Sequence, residues 1–162
     1  IVSSTAISLT VSLLVLATLT RRLGQSLLVI LPVGLAGSWV VGSMALLGIN
    51  WNVLTIMITA LTIGLGIDYS IHVWRRFESN RSSGMAIWPA MKDMYAHTGS
   101  ALLMSAGTTI CGFMVLLLSP IPVIRDFGVV SSISVAFSLI LALMVLPGLL
   151  AAEVRTLSLI HI

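Results

Sequence analysis

The sequence predicts an all-α membrane protein, and two observations carry that prediction. Hydrophobic residues make up 58% of the chain and charged residues only 8%, a balance outside the range of soluble globular domains. The apolar residues also form long uncharged stretches, and about 20 apolar residues of helix cross a bilayer core about 30 Å thick. We therefore expect five membrane-crossing helices, at about residues 2–19, 26–47, 53–74, 98–118 and 127–146.

Charged residues and helix breakers set the ends of these segments. The first predicted span stops at Arg21 and Arg22, and the last stops at Pro147 and Gly148. The only sizeable polar interval separates the third span from the fourth. Its apolar and aromatic residues at helical spacing predict an amphipathic helix at about 85–96, lying in the cytoplasmic interface. An ordinary linker with aromatic anchors is the alternative.

The membrane bundle is expected to occupy residues 1–156, which leaves no room for a soluble domain. Because the sequence opens at Ile1, without a Met and inside a hydrophobic segment, we expect a piece of a longer protein. The last six letters, LSLIHI at 157–162, resemble the in-frame translation of a sequencing-library adaptor, so we predict that this tail is not native.

The basic residues predict the orientation, because Lys and Arg accumulate on the cytoplasmic side of membrane proteins. If the first span starts outside, the segments at 20–25 and 75–97 are cytoplasmic. Of the 8 Lys and Arg residues, only Arg125 then lies outside. The isoelectric point of about 9.8 thus reflects topology and anionic lipid headgroups, and it requires no nucleic-acid partner.

Asp68 is the one acid that lies deep inside a predicted span. It precedes Arg75 by seven residues, which places it about 10 Å inside the cytoplasmic boundary at about 1.5 Å per residue. An ionised carboxylate near a helix centre costs several kcal/mol, so such a group takes up a proton, finds a partner or faces water. We expect Asp68 to carry protons. A structural acid satisfied by a neighbouring hydroxyl is the alternative.

Two neighbours of Asp68 are candidates for the same proton relay. His72 lies four residues on and shares the helix face, where an imidazole can pass a proton between water and the acid. An interfacial histidine without this role is an equal alternative. Tyr69 points about a quarter-turn away, and its hydroxyl is expected to bond to an acid on another helix. A metal site is not expected, because this pair lacks a third ligand.

Small residues predict how the helices pack, since membrane helices associate where small side chains let backbones approach closely. Gly34, Ser38 and Gly42 make one smooth face of the second span. A similar face of the third span contains Gly64 and Asp68, and we expect the two faces to touch.

Further small and hydroxyl residues have two interpretations. Gly66 is assigned to close helix contact, because the glycine motif of dinucleotide-binding folds is incomplete there. Ser105, Thr108 and Thr109 share a face of the fourth span. Such residues commonly satisfy helix packing alone, and the alternative is that they line a hydrated path to Asp68.

Several kinds of chemistry have no support in the sequence. The chain lacks a phosphate-binding GxxxxGK[ST] loop, an HExxH pair and a GxSxG elbow, so we expect no enzyme activity and no cofactor. An ion gradient is the remaining source of energy for uphill work. Cys111, the single cysteine, is interpreted as a small apolar residue.

Four segments together resemble one known superfamily. GLGIDYSIH at Gly64–His72, followed by WRRFE, resembles the fourth-helix motif of the resistance-nodulation-division (RND) superfamily, in the branch of MMPL-type and Patched-like hydrophobe exporters of bacteria and archaea. HTGSALLMSAGTTICGF, SPIPVIRDFG and VLPGLL are similar to the fifth helix of that family, its following loop and the end of its sixth helix. The resemblance extends to about Ala152.

The resemblance implies an architecture and a mechanism. The chain would be the last five helices of one half, assigned here as the second, in a protein of two six-helix halves with large outer domains. Eukaryotic relatives call this unit a sterol-sensing domain. Asp68 and Tyr69 would face their counterparts in the other half, and protonation there would be coupled to movement of the outer domains.

The implied function is proton-driven export of lipids or other hydrophobic molecules, across or from the cytoplasmic membrane of a prokaryote. The implied partners are the bilayer, a hydrophobic substrate and the other repeat, and a homo-oligomer is left open. A sterol- or lipid-sensing module that does not pump is the alternative. An accessory of protein secretion is a third interpretation, although the fourth-helix wording of SecD and SecF differs from GIDYSIH.

Overall fold

Helices make up all the secondary structure in the part of the chain that the computed structural model describes, which is Thr10 and residues 23–160. In chain order they are α1 (Leu23–Leu47), α2 (Val53–Ser82), α3 (Ile87–Met94), α4 (Ser100–Met114) and α5 (Pro122–Ile160). The π-helical turn Tyr95–Gly99 joins α3 to α4, and the 3₁₀ turn Val115–Leu118 follows α4. Apart from Thr10, the predicted span at 2–19 lies outside the described residues.

Within the described residues, the helical segments long and apolar enough to cross a membrane number 4, namely Leu27–Leu47, Val53–Ser82, Ile87–Leu118 and Pro122–Glu153. The predicted all-α class with membrane-crossing helices is therefore confirmed for this part of the chain. The span predicted at 2–19 stays a prediction.

α2 begins at a capped turn and ends well beyond its predicted boundary. The Asn52 side chain accepts a hydrogen bond from the Thr55 N–H at 2.9 Å, and the Thr55 hydroxyl accepts one from the Asn52 N–H at 2.8 Å. This reciprocal pair satisfies backbone donors that a first helical turn leaves open. The helix then continues past Trp74 to Ser82, because no glycine or proline lies between Trp74 and Gly84.

The amphipathic stretch predicted at 85–96 is helical, but it is not a separate element. α3 passes through the π turn directly into α4, so one continuous helical segment replaces the predicted helix and span. Gly99 lies inside this continuous segment and is buried against its neighbours. A Cβ there would lie 3.6 Å from the Tyr95 ring and 3.7 Å from Leu143. That this stretch lies in the membrane interface stays a prediction.

α5 extends past both of its predicted ends. It begins at Pro122, and a proline suits the first helical position because its missing N–H would have no partner there. The helix also continues through Pro147 and Gly148, where the sequence predicted its end. An internal proline frees one backbone carbonyl, and a membrane helix tolerates this when another donor reaches that carbonyl.

α5 is the central helix of the described bundle, since it packs against α1, α2 and α4. Its contact with α2 is parallel and in register. Thr62 meets Ser134 and Gly66 meets Ser138, and both pairs are 72 residues apart. The largest fully buried side chains of the bundle include Phe77, Ile58, Met94 and Leu146.

Candidate functional site: the Asp68 face

α2 buries one side in the bundle, and none of the residues that the structure describes covers the opposite side. The uncovered side carries Ala60, Gly64, Asp68 and His72, all exposed, which recur every fourth residue and therefore form one stripe. We call this stripe the Asp68 face. The half that precedes Asp68 has almost no side-chain bulk, because it consists of Ala60 and Gly64, and a Cβ added at Gly64 would meet nothing within 4 Å. The backbone of α2 is thus accessible to close approach by another helix.

Asp68 has no partner in the described bundle. Its carboxylate makes no hydrogen bond and no ion pair with any residue that the structure describes. It also lies within the segment Val53–Ser82, which is apolar enough to cross a membrane. A carboxylate in such a place requires water, a proton or a partner from elsewhere.

The two relay candidates lie on different sides of α2. His72 is exposed on the Asp68 face, one turn further along the helix. Tyr69 is only 5% exposed and belongs to the apolar core that also contains Val73 and Leu146. Asp68 and Tyr69 thus point to different sides of α2, because adjacent residues of a helix point about 100° apart. Their implied pairing with the other half stays a prediction.

The candidate polar path on α4 does not reach Asp68 through hydrogen bonds. The hydroxyls of Thr108 and Thr109 both donate to the Ser105 carbonyl, at 2.8 and 2.9 Å. Ser105 and Thr108 are exposed, while α4 packs on α5 through its buried residues Leu102 and Ala106. The described contacts of these hydroxyls are thus local to α4.

The expected contact between the small-residue faces of α1 and α2 is not formed. Gly34, Ser38 and Gly42 are exposed, and a Cβ at either glycine would meet nothing within 4 Å. α1 instead turns a ridge of larger side chains into the bundle, namely Val29, Val33, Ala36, Val40 and Met44. Larger side chains make more van der Waals contacts, so they occupy the internal interface.

Of the glycines predicted to lie in helix contacts, Gly66 is the one that does. A Cβ there would be 3.3 Å from Val33 on α1 and 3.6 Å from the Ser138 hydroxyl on α5. α1, α2 and α5 therefore meet at this position. A larger residue would force Val33 or Ser138 to move.

A buried hydroxyl pair joins α2 to α5, and sequence reasoning did not predict it. Thr62 and Ser134 are fully buried, and their hydroxyl oxygens lie 2.6 Å apart. The Thr62 hydroxyl also donates to the Ile58 carbonyl at 2.8 Å, so Ser134 is the donor in the pair. The sequence gives no local signal for this pair, because its members lie 72 residues apart.

A polar cluster holds α3 against the end of α2, and sequence reasoning missed it. The Asp93 carboxylate accepts hydrogen bonds from Arg76 and Asn80, each at 2.8 Å, and lies 3.1 Å from the His97 ring. Asn80 also donates to the Ala90 carbonyl at 3.1 Å. The spacing of four residues indicates only the pairs within each helix, and it does not join Asp93 to Arg76 and Asn80, which lie on the other side of a turn.

Tyr95 compensates for the proline inside α5. Pro147 has no N–H, so the Leu143 carbonyl, four residues earlier, lacks its helical donor. The Tyr95 hydroxyl donates to that carbonyl at 2.8 Å. The π turn that begins at Tyr95 therefore supports the continuation of α5 beyond its proline.

This compensation predicts an outcome for Tyr95→Phe. The variant of the full-length protein should lose about 1–2 kcal/mol of stability, because the Leu143 carbonyl would have no donor. Thermal unfolding in detergent measures the loss. In a Pro147→Ala background the residue 147 N–H can bond to that carbonyl, so the same change should cost little. An equal loss in both backgrounds would contradict the assignment.

The described residues offer no metal site. Nowhere within them do three His, Cys, Asp or Glu side chains come together in a way that could hold a metal ion. Cys111 is exposed on α4.

Apolar helices of spanning length around a central α5, with an acid on an uncovered face, define a polytopic membrane protein. The chain belongs to the MMPL family, whose sequence profile matches residues 1–159. The resemblance to this branch of the RND superfamily is thereby confirmed. The family points to a transporter rather than an enzyme.

Individual relatives agree with this assignment. The chain is 35% identical to the protein MJ1562 of Methanocaldococcus jannaschii over 94% of its own length. It is 27% identical to Protein patched homolog 1 of Danio rerio over 76% of its length, and 28% identical to the hopanoid transporter HpnN of Rhodopseudomonas palustris over 74%. It spans 39%, 11% and 14% of these three proteins. No solved structure matches the chain.

Proposed function

We propose that the full-length protein uses a proton gradient to export lipids or other hydrophobic molecules across or from the cytoplasmic membrane of a prokaryote, with Asp68 as the residue that carries the proton. The observation that carries this proposal is the exposed carboxylate of Asp68, which has no partner among residues 23–160, within a helix that can span a membrane. Leaving it against lipid would cost several kcal/mol, so a second protein surface or water must face it.

The surface around Asp68 fits a helix of the other repeat. Gly64 and Ala60 lie on the same stripe, one and two turns from Asp68 respectively, and such small residues allow close helix contact in membranes. His72 continues the stripe toward the predicted cytoplasmic side, where it can exchange protons with water. A proton that binds Asp68 removes its charge, and this change alters how strongly the partner repeat is held.

The hydrophobic substrate is supported by the relatives and by a groove. One relative is named a hopanoid transporter. The groove, of about 420 Å³, lies between α1 and α2 and is lined by Val33, Gly34, Gly37, Ser38, Val41, Thr59 and Ile63. Its lining is mainly apolar, and the small residues that α1 contributes to it take up little of its space.

That groove also favours a second candidate function, a lipid-sensing module that binds a sterol-like molecule without pumping. Such a module would need no proton at Asp68. The two functions therefore differ in one measurable property, the dependence of lipid movement on a proton gradient.

Reconstitution of the full-length protein tests the proposal. Proteoliposomes carry NBD-labelled cholesterol as the hydrophobic probe and pyranine as the internal pH indicator. An acid pH on the extracytoplasmic side should accelerate probe transfer to acceptor vesicles and acidify the opposite compartment, and nigericin should abolish both effects. Probe binding with transfer rates that ignore the gradient would favour the sensing module and overturn the pump.

A further inference from the structure

The surface of α3 carries a groove that the proposed transport does not use. Its volume is about 730 Å³, and its lining consists of Trp88, Pro89, Met91, Lys92 and Tyr95. The Trp88 side chain is 72% exposed and the Tyr95 side chain 41%. Aromatic residues with a basic residue among them are typical of positions where a protein meets the membrane surface.

Lys92 is available to a ligand in this groove. It is exposed and makes no salt bridge with any residue that the structure describes. The acid next to it, Asp93, is already bound by Arg76, Asn80 and His97 on the other side of α3. The groove therefore presents one unneutralised ammonium group beside apolar and aromatic surface.

The groove is held in shape by the bundle below it. The opposite side of α3 is fully buried at Ala90 and Met94. Asn80 fixes the Ala90 carbonyl, and the Tyr95 hydroxyl is bonded to Leu143 on α5. A ligand would thus meet a preorganised surface, which lowers the entropic cost of binding.

We propose that this groove binds an anionic phospholipid. The Lys92 ammonium contacts the headgroup phosphate, and the first part of an acyl chain lies against Trp88 and Met91. The occupant is a lipid rather than a soluble anion, because most of the lining is apolar. This site goes beyond the proposed transport, since its lipid is held at the surface and not moved.

Fluorescence quenching tests the proposal on the full-length protein in mixed micelles. Subtracting the signal of Trp88→Phe isolates the Trp88 contribution. Brominated phosphatidylglycerol should quench that contribution at about fivefold lower mole fraction than brominated phosphatidylcholine, the preference expected for one lysine at an anionic headgroup.

Variants separate the headgroup contact from other effects. Lys92→Gln should reduce the phosphatidylglycerol preference to none, and Lys92→Arg should keep it. Arg125→Gln, at an exposed basic residue near the start of α5, should also keep it. Equal quenching by the two lipids in the unaltered protein, an unchanged preference in Lys92→Gln, or displacement by millimolar inorganic phosphate would each overturn the proposal.

Discussion

Asp68→Asn is expected to reduce proton-driven transport by the full-length protein to the level of empty vesicles. Asparagine has nearly the same shape as aspartate but cannot bind and release a proton at ordinary pH. Because Asp68 makes no hydrogen bond or ion pair with the described residues, the change should leave folding and membrane insertion intact. Probe transfer and internal acidification measure the loss, and thermal unfolding checks the fold.

Glu78→Gln provides the matched control. Glu78 is an exposed acid on the same helix, beyond Arg75 and Arg76, in the segment predicted to be cytoplasmic, where we expect its charge to meet water at little cost. The variant should transport like the unaltered protein. Undiminished gradient-driven transport by Asp68→Asn, or equal losses of transport in the two variants, would contradict the proposed role of Asp68 as the proton carrier.

Gly128→Ala is expected to destabilise the contact between α4 and α5 strongly. A Cβ at this buried glycine would lie 2.8 Å from the Phe113 carbonyl oxygen and 2.9 Å from the Leu116 Cβ. Neither atom can rotate away, because one is backbone and the other is bonded to it. The start of α5 must therefore move away from the end of α4, and we expect a loss of about 3 kcal/mol, at the upper end for added core volume.

Gly112→Ala separates this effect from the general cost of changing a glycine. A Cβ at Gly112 would meet nothing within 4 Å, and alanine is a better helix former than glycine. We expect unchanged or slightly raised stability. Thermal unfolding of the full-length protein in detergent compares the two variants, and a similar melting temperature for both would contradict the close packing at Gly128.

The sequence was sufficient for the class of fold because apolar stretches of spanning length have few other uses. It was less reliable for helix ends. Pro147 predicted the end of α5, but the Tyr95 hydroxyl bonds the carbonyl that this proline frees. The predicted amphipathic helix likewise merges with the next span through a π turn, which has no recognised sequence signal.

For the candidate site, too, the sequence predicted some features and left others undetermined. The sequence alone was sufficient to select Asp68 as a candidate, because a lone acid in an apolar helix is costly wherever the helix packs. The predicted contact of Gly34, Ser38 and Gly42 with α2 was wrong for the described bundle, because small residues show that a close approach is permitted and not which helix makes it. The sequence alone also did not determine that the bundle buries Tyr69 and leaves Asp68 exposed.

The sequence by itself thus determined a membrane protein of the MMPL family with one unusual acid in its third predicted span. Only the tertiary structure decided which side of α2 the bundle covers, and therefore that Asp68 is unpaired there. It also decided the contacts of Asp93 with Arg76 and Asn80, and of Tyr95 with Leu143. The physical reason is range: hydropathy and charge act residue by residue along the chain, whereas these contacts join segments that only packing brings together.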